Sequence, residues 1–323
     1  MRKVLQRANE RVIVTGAAGF VGANLLRRLT KSGFRVHILI REDTDLWRIK
    51  KILRDVSVHH CDLRDKSGVS KVVRAISPSI VYHLAAETIS SSTRSMSGRN
   101  FVAHNLLGTI NLLTACLKST PSLIVNTGSS SEYGSATKPM SENDHCEPMT
   151  AYGVTKLAAT LYGQMLAQTN GLPVVTLRLF SPFGPYDSEH RLIPNVVLSA
   201  INNRDIQLSS LHLVRDYVYI GDVVNACIAC LSRKEKLVGK VFNVGSGKQR
   251  SIGSVVRTIL HLTESKSRIL TGTRQPPAYE SAMWQANLRN TRKVIGWKPT
   301  STFLSGIQKT VRWFQRNRDL YAN

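Results

Sequence analysis

The feature that most narrows what this chain can fold into is the run Thr15-Gly16-Ala17-Ala18-Gly19-Phe20-Val21-Gly22, which follows a short β-branched stretch and opens a longer amphipathic one. Gly16 permits a tight turn, Gly19 lets the backbone approach a pyrophosphate, and Gly22 lets a helix pack closely on the preceding strand with its N-terminus facing the anion. A glycine triplet alone is weak evidence. The strand, turn and helix context gives it meaning and predicts a parallel α/β sheet.

The rest of the chain agrees with that prediction. Short β-branched runs alternate with amphipathic segments through the first 180 residues, as a doubly wound parallel sheet requires. Strands are expected near Arg11–Thr15, Arg35–Ile40, Val56–His59, Ile80–His83, Leu123–Asn126 and Val174–Arg178, with helices near Phe20–Lys31, Ser67–Ile76, Phe101–Lys118 and Ala151–Gln168. After Arg178 the pattern loosens into short strands and helices near Leu192–Asn202, Gly221–Leu231, Ile252–Leu262 and Phe303–Gln315. The expectation is a Rossmann domain over 1–180 and a smaller mixed α/β lobe over 181–323, with an approximate boundary that the chain is free to recross. A length of 323 residues suits such a two-lobed molecule.

Composition bounds the partners. A net charge of +23 calls for an anionic environment or ligand, but the cations are scattered and no nucleic-acid-binding signature accompanies them, so nucleic acid is disfavoured. Five cysteines are too few and too irregular for a disulfide framework. Cys227 and Cys230 form a C-x-x-C in a helical run with no second pair, and read as two small apolar residues rather than a metal site. The basic and then apolar stretch from Met1 to Gly22 is broken by its glycines and shows no cleavage pattern, and no later segment has the length of a membrane span, so the cytoplasm is the expected compartment.

The spacing G-x-x-G-x-x-G resembles the short-chain dehydrogenase variant of the dinucleotide fingerprint. Asp62-Leu63, His83-Leu84-Ala85-Ala86 and Asn105-Leu106-Leu107-Gly108-Thr109 match further segments of that family, and Tyr152-Gly153-Val154-Thr155-Lys156 matches its Y-x-x-x-K. The chain resembles the extended short-chain dehydrogenases that act on nucleotide sugars, from about Arg11 to Trp313. The resemblance implies a cofactor site formed by Gly16, Gly19, Phe20, Gly22, Arg41, Asp62, Leu63, Leu84, Ala85, Ala86 and Asn105, completed by Tyr152 and Lys156. Arg41 stands where an acid usually grips the adenosine ribose, and its planar fork suits a 2′-phosphate, so NADP is expected, with NAD the alternative.

The proposed chemistry follows from residue types. A phenol and an ammonium at i,i+4 share one helix face, and a cation beside Tyr152 favours its phenolate. The resemblance aligns Ser129 of Thr127-Gly128-Ser129-Ser130-Ser131-Glu132-Tyr133-Gly134 with the residue that holds the reacting oxygen, with Ser130 a neighbouring substrate contact. Sugar 4,6-dehydratases place an acid pair directly after that position. Ser130 and Ser131 stand there instead, with Glu132 one residue beyond, so dehydration is disfavoured. In the second lobe the resemblance implies Ser181, Arg191 and Arg215 as substrate contacts, Arg215 toward a diphosphate, its alternative reading being an ion pair with Asp216.

The leading expectation is an NADP-dependent reductase of a nucleotide-linked 4-keto-6-deoxy sugar, with an NAD-dependent 4-epimerase as runner-up. A non-enzymatic dinucleotide sensor and a reductase of non-nucleotide carbonyl compounds are the rival classes. No metal is called for, and the resemblance implies a homodimer.

Overall fold

The computed structural model describes residues 10–88, 98–272 and 281–321. Seven strands form one parallel sheet: β1 (Arg11–Thr15), β2 (Arg35–Ile40), β3 (Ser57–His60), β4 (Ile80–His83), β5 (Leu123–Ser129), β6 (Val174–Leu179) and β7 (Val241–Val244). Their order is β7-β6-β5-β4-β1-β2-β3. β4 and β5 are buried at every position, and a strand covered on both faces has no reason to alternate polar with apolar.

The helices that cover the sheet start and stop for local reasons. α1 (Phe20–Lys31) begins at Gly19 and buries Leu25, Leu26 and Leu29, while Arg28 and Lys31 in its last turn complement the helix dipole. α2 (Lys66–Ile76) is capped by Asp65, whose side chain accepts from the Ser67 amide. A helical stretch over Gly98–Phe101 passes through a π-helical turn, Val102–Leu107, into α3 (Gly108–Ser119). α4 (Ala151–Asn170) starts at a Thr150 cap and stops at Gly171 in the left-handed region. The order of strands reverses between β1 and β4, so their carboxyl ends open the crevice where such sheets bind ligands.

Beyond β6 the chain moves between two layers through α5 (Leu192–Ile201), α6 (Ile220–Ala229), α7 (Ile252–Thr263), α8 (Arg289–Val294) and α9 (Phe303–Arg316). α5, α7 and α9 enclose a second core around Val196, Val197, Val255, Val256, Ile307 and Phe314. α6 instead packs on α1, placing Val223, Val224 and Cys227 in the core beneath the large sheet. β7 then joins that sheet beside β6. Cys227 and Cys230 are both fully buried in this core, where desolvation pushes the Cys227 thiol up to about 12. Among the described residues no helix is long and apolar enough to cross a membrane.

Candidate active site

The glycine turn has the shape that its spacing predicts. Gly16 adopts φ +67°, and a Cβ there would stand 2.5 Å from the Ala85 nitrogen. A Cβ on Gly22 would stand 2.1 Å from the Gly16 carbonyl oxygen, so α1 closes onto β1 only because that position has no side chain. Gly19 caps α1 with an extended backbone, and a Cβ there would meet only the Gly16 oxygen at 3.2 Å. Its outer side is open.

That open side faces a cavity of about 210 Å³ lined by Gly16, Gly19, Arg41, Asp62, Leu63, Leu84, Ala85 and Ala86. A backbone cradle at a helix start, continuous with apolar walls, fits a dinucleotide. Phe20, Gly22, Asn105, Tyr152 and Lys156, also expected at the cofactor, do not line this cavity. Phe20 opens α1, 5.9 Å from the Arg191 guanidinium. Asn105, buried in the π-helical turn, accepts from the Glu87 amide at 2.8 Å and donates to the Glu87 carbonyl at 3.1 Å and to Thr155 Oγ1 at 3.3 Å. It therefore holds the lining segment in place from outside. Glu87, His104 and Arg64 also line the cavity, and no local motif pointed to them.

Charges at the rim are already paired. Arg41 donates to Asp43 at 3.1 Å and to Glu87 at 3.2 Å, and its side chain is 39% exposed. Burial works against its charge, yet the two carboxylates outweigh burial and its pKa lies above the ordinary value. Arg64 grips both carboxylate oxygens of Asp62 at 3.0 Å, and this hydrogen bonding takes the Asp62 pKa down to about 2.

At the other end of the crevice Ser129 is the last residue of β5 and is buried. Its Oγ accepts from the Ser131 amide at 3.1 Å, which leaves its proton to donate, and its side chain lies close enough to Tyr152 to favour the phenolate. Tyr152 and Lys156 lie one turn apart on α4, with the Phe101 ring 6.3 Å from Tyr152, edge to face. The neighbouring ammonium predicts a lowered phenol pKa. The structure differs: burial is the largest effect and holds the Tyr152 pKa above its ordinary value, Ser129 and Arg191 pulling down and Glu132 pushing up. Burial also takes Lys156 down to about 8, against the opposing charge of Glu132. A phenol near a serine hydroxyl, with an ammonium one helical turn away, is an arrangement able to act as a short proton relay.

The second lobe reaches this relay through Arg191, whose charge acts on Tyr152 and whose guanidinium pairs with the buried Asp187 at 3.5 Å. Ser181 is half-buried and its carbonyl accepts from the Val218 amide at 3.1 Å. Ser130 Oγ accepts from the Trp284 indole at 3.1 Å, and the Arg215 guanidinium lies 4.6 Å from that indole ring. Asp216 takes its hydrogen bonds from Ser246, Gly247 and Ala286 rather than from Arg215. Trp284 thus links two expected substrate residues, a link formed across 154 positions of chain and invisible to spacing.

These features agree with the known relatives. Residues 12–245 match the NAD dependent epimerase/dehydratase family, and the chain belongs to that family. It is 29% identical to UDP-glucuronate 4-epimerase 4 of Arabidopsis thaliana over 94% of its own length and 75% of that protein. It is 26% identical to a dTDP-glucose 4,6-dehydratase of Salmonella typhimurium, over 97% and 95%. A UDP-glucose 4-epimerase of Thermus thermophilus, solved with NAD, superposes with a TM-score of 0.85 at 26% identity, over 95% of this chain and 99% of that one. Relatives thus include both epimerases and dehydratases.

Proposed function

We propose that this chain is a nucleotide-sugar 4-epimerase that uses NAD and returns it unchanged. The observation that carries the reading is the pairing of Arg41 with Asp43 and Glu87 and of Arg64 with Asp62, which leaves no unpaired Arg or Lys for a 2′-phosphate among the described residues that line the cavity. NAD in the solved Thermus relative and the epimerase activity named for the Arabidopsis relative point the same way. When bound, the cofactor supplies reversible hydride exchange at the sugar C4.

The chain's own residues supply the remainder. Tyr152 takes the C4 hydroxyl proton and gives it back, Ser129 holds the C4 oxygen, and Lys156 binds the cofactor ribose beside the phenol. Arg215 and Arg191 receive the anionic parts of the substrate, for which UDP-glucose and UDP-glucuronate are the first candidates. Dehydration is disfavoured because Ser130 and Ser131 occupy the places of the acid pair and Glu132 is locked in a buried ion pair. A sensor would have no use for the relay of Ser129 and Tyr152. Exposed Val154, Leu161 and Met165 on α4 support a homodimer through that face.

A second reading keeps Arg41 as a 2′-phosphate ligand and makes the chain an NADPH-dependent reductase of a nucleotide-linked 4-keto-6-deoxy sugar. It is favoured by the place of the guanidinium on the cavity wall. One assay separates the two. Incubation with each nucleotide sugar and NAD is expected to interconvert the C4 epimers without net change in nicotinamide absorbance. Stoichiometric NADPH oxidation with a keto sugar, and no epimerisation, would establish the reductase instead.

A further inference from the structure

We propose that Glu132 is a positioning residue whose carboxylate fastens the end of β5, helix α4 and strand β6 into one unit that fixes Ser129 relative to Tyr152. The inference rests on the proton relay proposed above.

The carboxylate is fully buried and each oxygen is committed. Oε1 accepts from the Ser129 amide at 2.7 Å. Oε2 accepts from Thr160 Oγ1 at 3.0 Å and from Arg178 Nε at 2.8 Å. Thr160 follows Tyr152 and Lys156 at intervals that keep all three on one face of α4. One side chain therefore grips the backbone of the expected oxygen-holding serine and the helix that carries the expected acid and base.

The strand is built to admit it. A Cβ on Gly128 would stand 2.5 Å from Glu132 Oε1, so β5 has no side chain where the carboxylate enters. Ser129 reciprocates through the Ser131 amide, and the two contacts together orient its hydroxyl. Arg178 also stacks 4.5 Å from the Tyr133 ring, whose hydroxyl donates to Asn243 Oδ1 on β7 at 2.7 Å. A buried ion pair alone is weak evidence for a role beyond folding. Here the two further partners are the Ser129 amide and Thr160, on the face of α4 that carries Tyr152 and Lys156, and an ion pair needs neither.

The charge has a separate readout. Arg178 faces Glu132 from β6, Tyr152 and Lys156 from α4, and Tyr133 from its own turn, with Cys146 close to Arg178. Tyr152 is also faced by Arg191, and Lys156 acts on His83. Removing the carboxylate charge removes an anion that holds the Tyr152 phenol up.

The experiment compares wild type with Thr160→Val, Glu132→Gln and the double variant Glu132→Gln with Arg178→Met, which removes both buried charges together. The first readout needs no sugar: the phenolate absorbance of Tyr152 is titrated with NAD present, each protein against its own Tyr152→Phe counterpart. The second is kcat and KM for the epimerised sugar. Expected are a Tyr152 titration at lower pH in both Glu132 variants, a kcat about 100-fold down with KM changed less than about threefold, and about tenfold for Thr160→Val, the scale of a misplaced reacting group. A folded double variant with native kcat and native titration would overturn the proposal, leaving Glu132 as a mere counter-ion for Arg178. If Glu132→Gln alone does not fold, the other two variants decide. If wild type turns over no nucleotide sugar the functional reading fails separately, and the titration still decides: an unshifted Tyr152 overturns the proposal.

Discussion

At the scale of single residues, Tyr152 is the position on which the proposed chemistry turns. Tyr152→Phe is expected to leave the fold and cofactor binding intact and to lower turnover by about two orders of magnitude or more, the usual scale of lost general acid and base catalysis. Stopped-flow and thermal-shift measurements check both halves, and near-normal turnover would remove Tyr152 from the mechanism. Lys156 gives a pH signature. Its charge is lost as pH rises through about 8, so kcat/KM should fall above that pH on a limb that Lys156→Met abolishes. In the unfolded chain the same lysine keeps its proton up to its ordinary value of 10.5. The unfolded state thus binds more protons between those values, and wild-type stability should rise relative to Lys156→Met as pH climbs through the window. Arg41 tests the cofactor. Glu87→Gln with Asp43→Asn frees its guanidinium, and the ratio of NADP to NAD affinity should rise; an unchanged ratio would show that those carboxylates do not set the preference. Gly16 and Gly19 were legible because a phosphate turn fixes residue types at short spacing, and Asp62 and Ala85 only through the family segments to which they belong. Glu87 was not, because it stands one residue beyond the family segment, and neither were His104 and Trp284, which meet the site residues through packing between segments far apart in the chain.

At the scale of elements, strand ends matter more than strand middles. The apolar run of β5 predicted a strand to Asn126, but pairing with β6 continues to Ser129 opposite Leu179, which makes the expected oxygen-holding serine part of the sheet. A helix was legible from Phe101, whereas the π-helical turn over Val102–Leu107 was not, because apolar periodicity does not distinguish one extra residue per turn from a shift of face. β7 was not legible as part of the large sheet, because the four-residue run Val241-Phe242-Asn243-Val244 does not say which sheet it joins. The junction of β1 and α1 is the element that sequence described best, and it carries a prediction. Gly22→Ala puts a methyl against the Gly16 oxygen, so unfolding should become easier by about 1–3 kcal/mol, the usual cost of overpacking. The same change should abolish the rise in melting temperature caused by NAD, because the pyrophosphate cradle moves with α1. A native response to NAD would separate the turn from the cofactor.

At the scale of the whole molecule, the large sheet and the second lobe each contribute to the site. The large sheet brings Ser129 and α4, and the second lobe brings Arg191 to bear on Tyr152 and Arg215 beside Trp284. The doubly wound sheet was legible from alternating runs, but the interleaving of layers beyond residue 180 was not, because α6 and β7 pair with elements some 200 and 60 residues upstream. A net charge of +23 suits a substrate carrying a diphosphate, although most of those cations lie outside the crevice. The central claim is that the chain exchanges hydrogen at C4 of a nucleotide sugar and restores it. The most direct measurement supplies UDP-glucuronate or UDP-glucose deuterated at C4, with NAD, and follows the product by nuclear magnetic resonance alongside nicotinamide absorbance. The account predicts the C4 epimer with deuterium still on C4 and no net change in absorbance. Loss of the label to solvent, or accumulation of reduced nicotinamide without epimer, would contradict it.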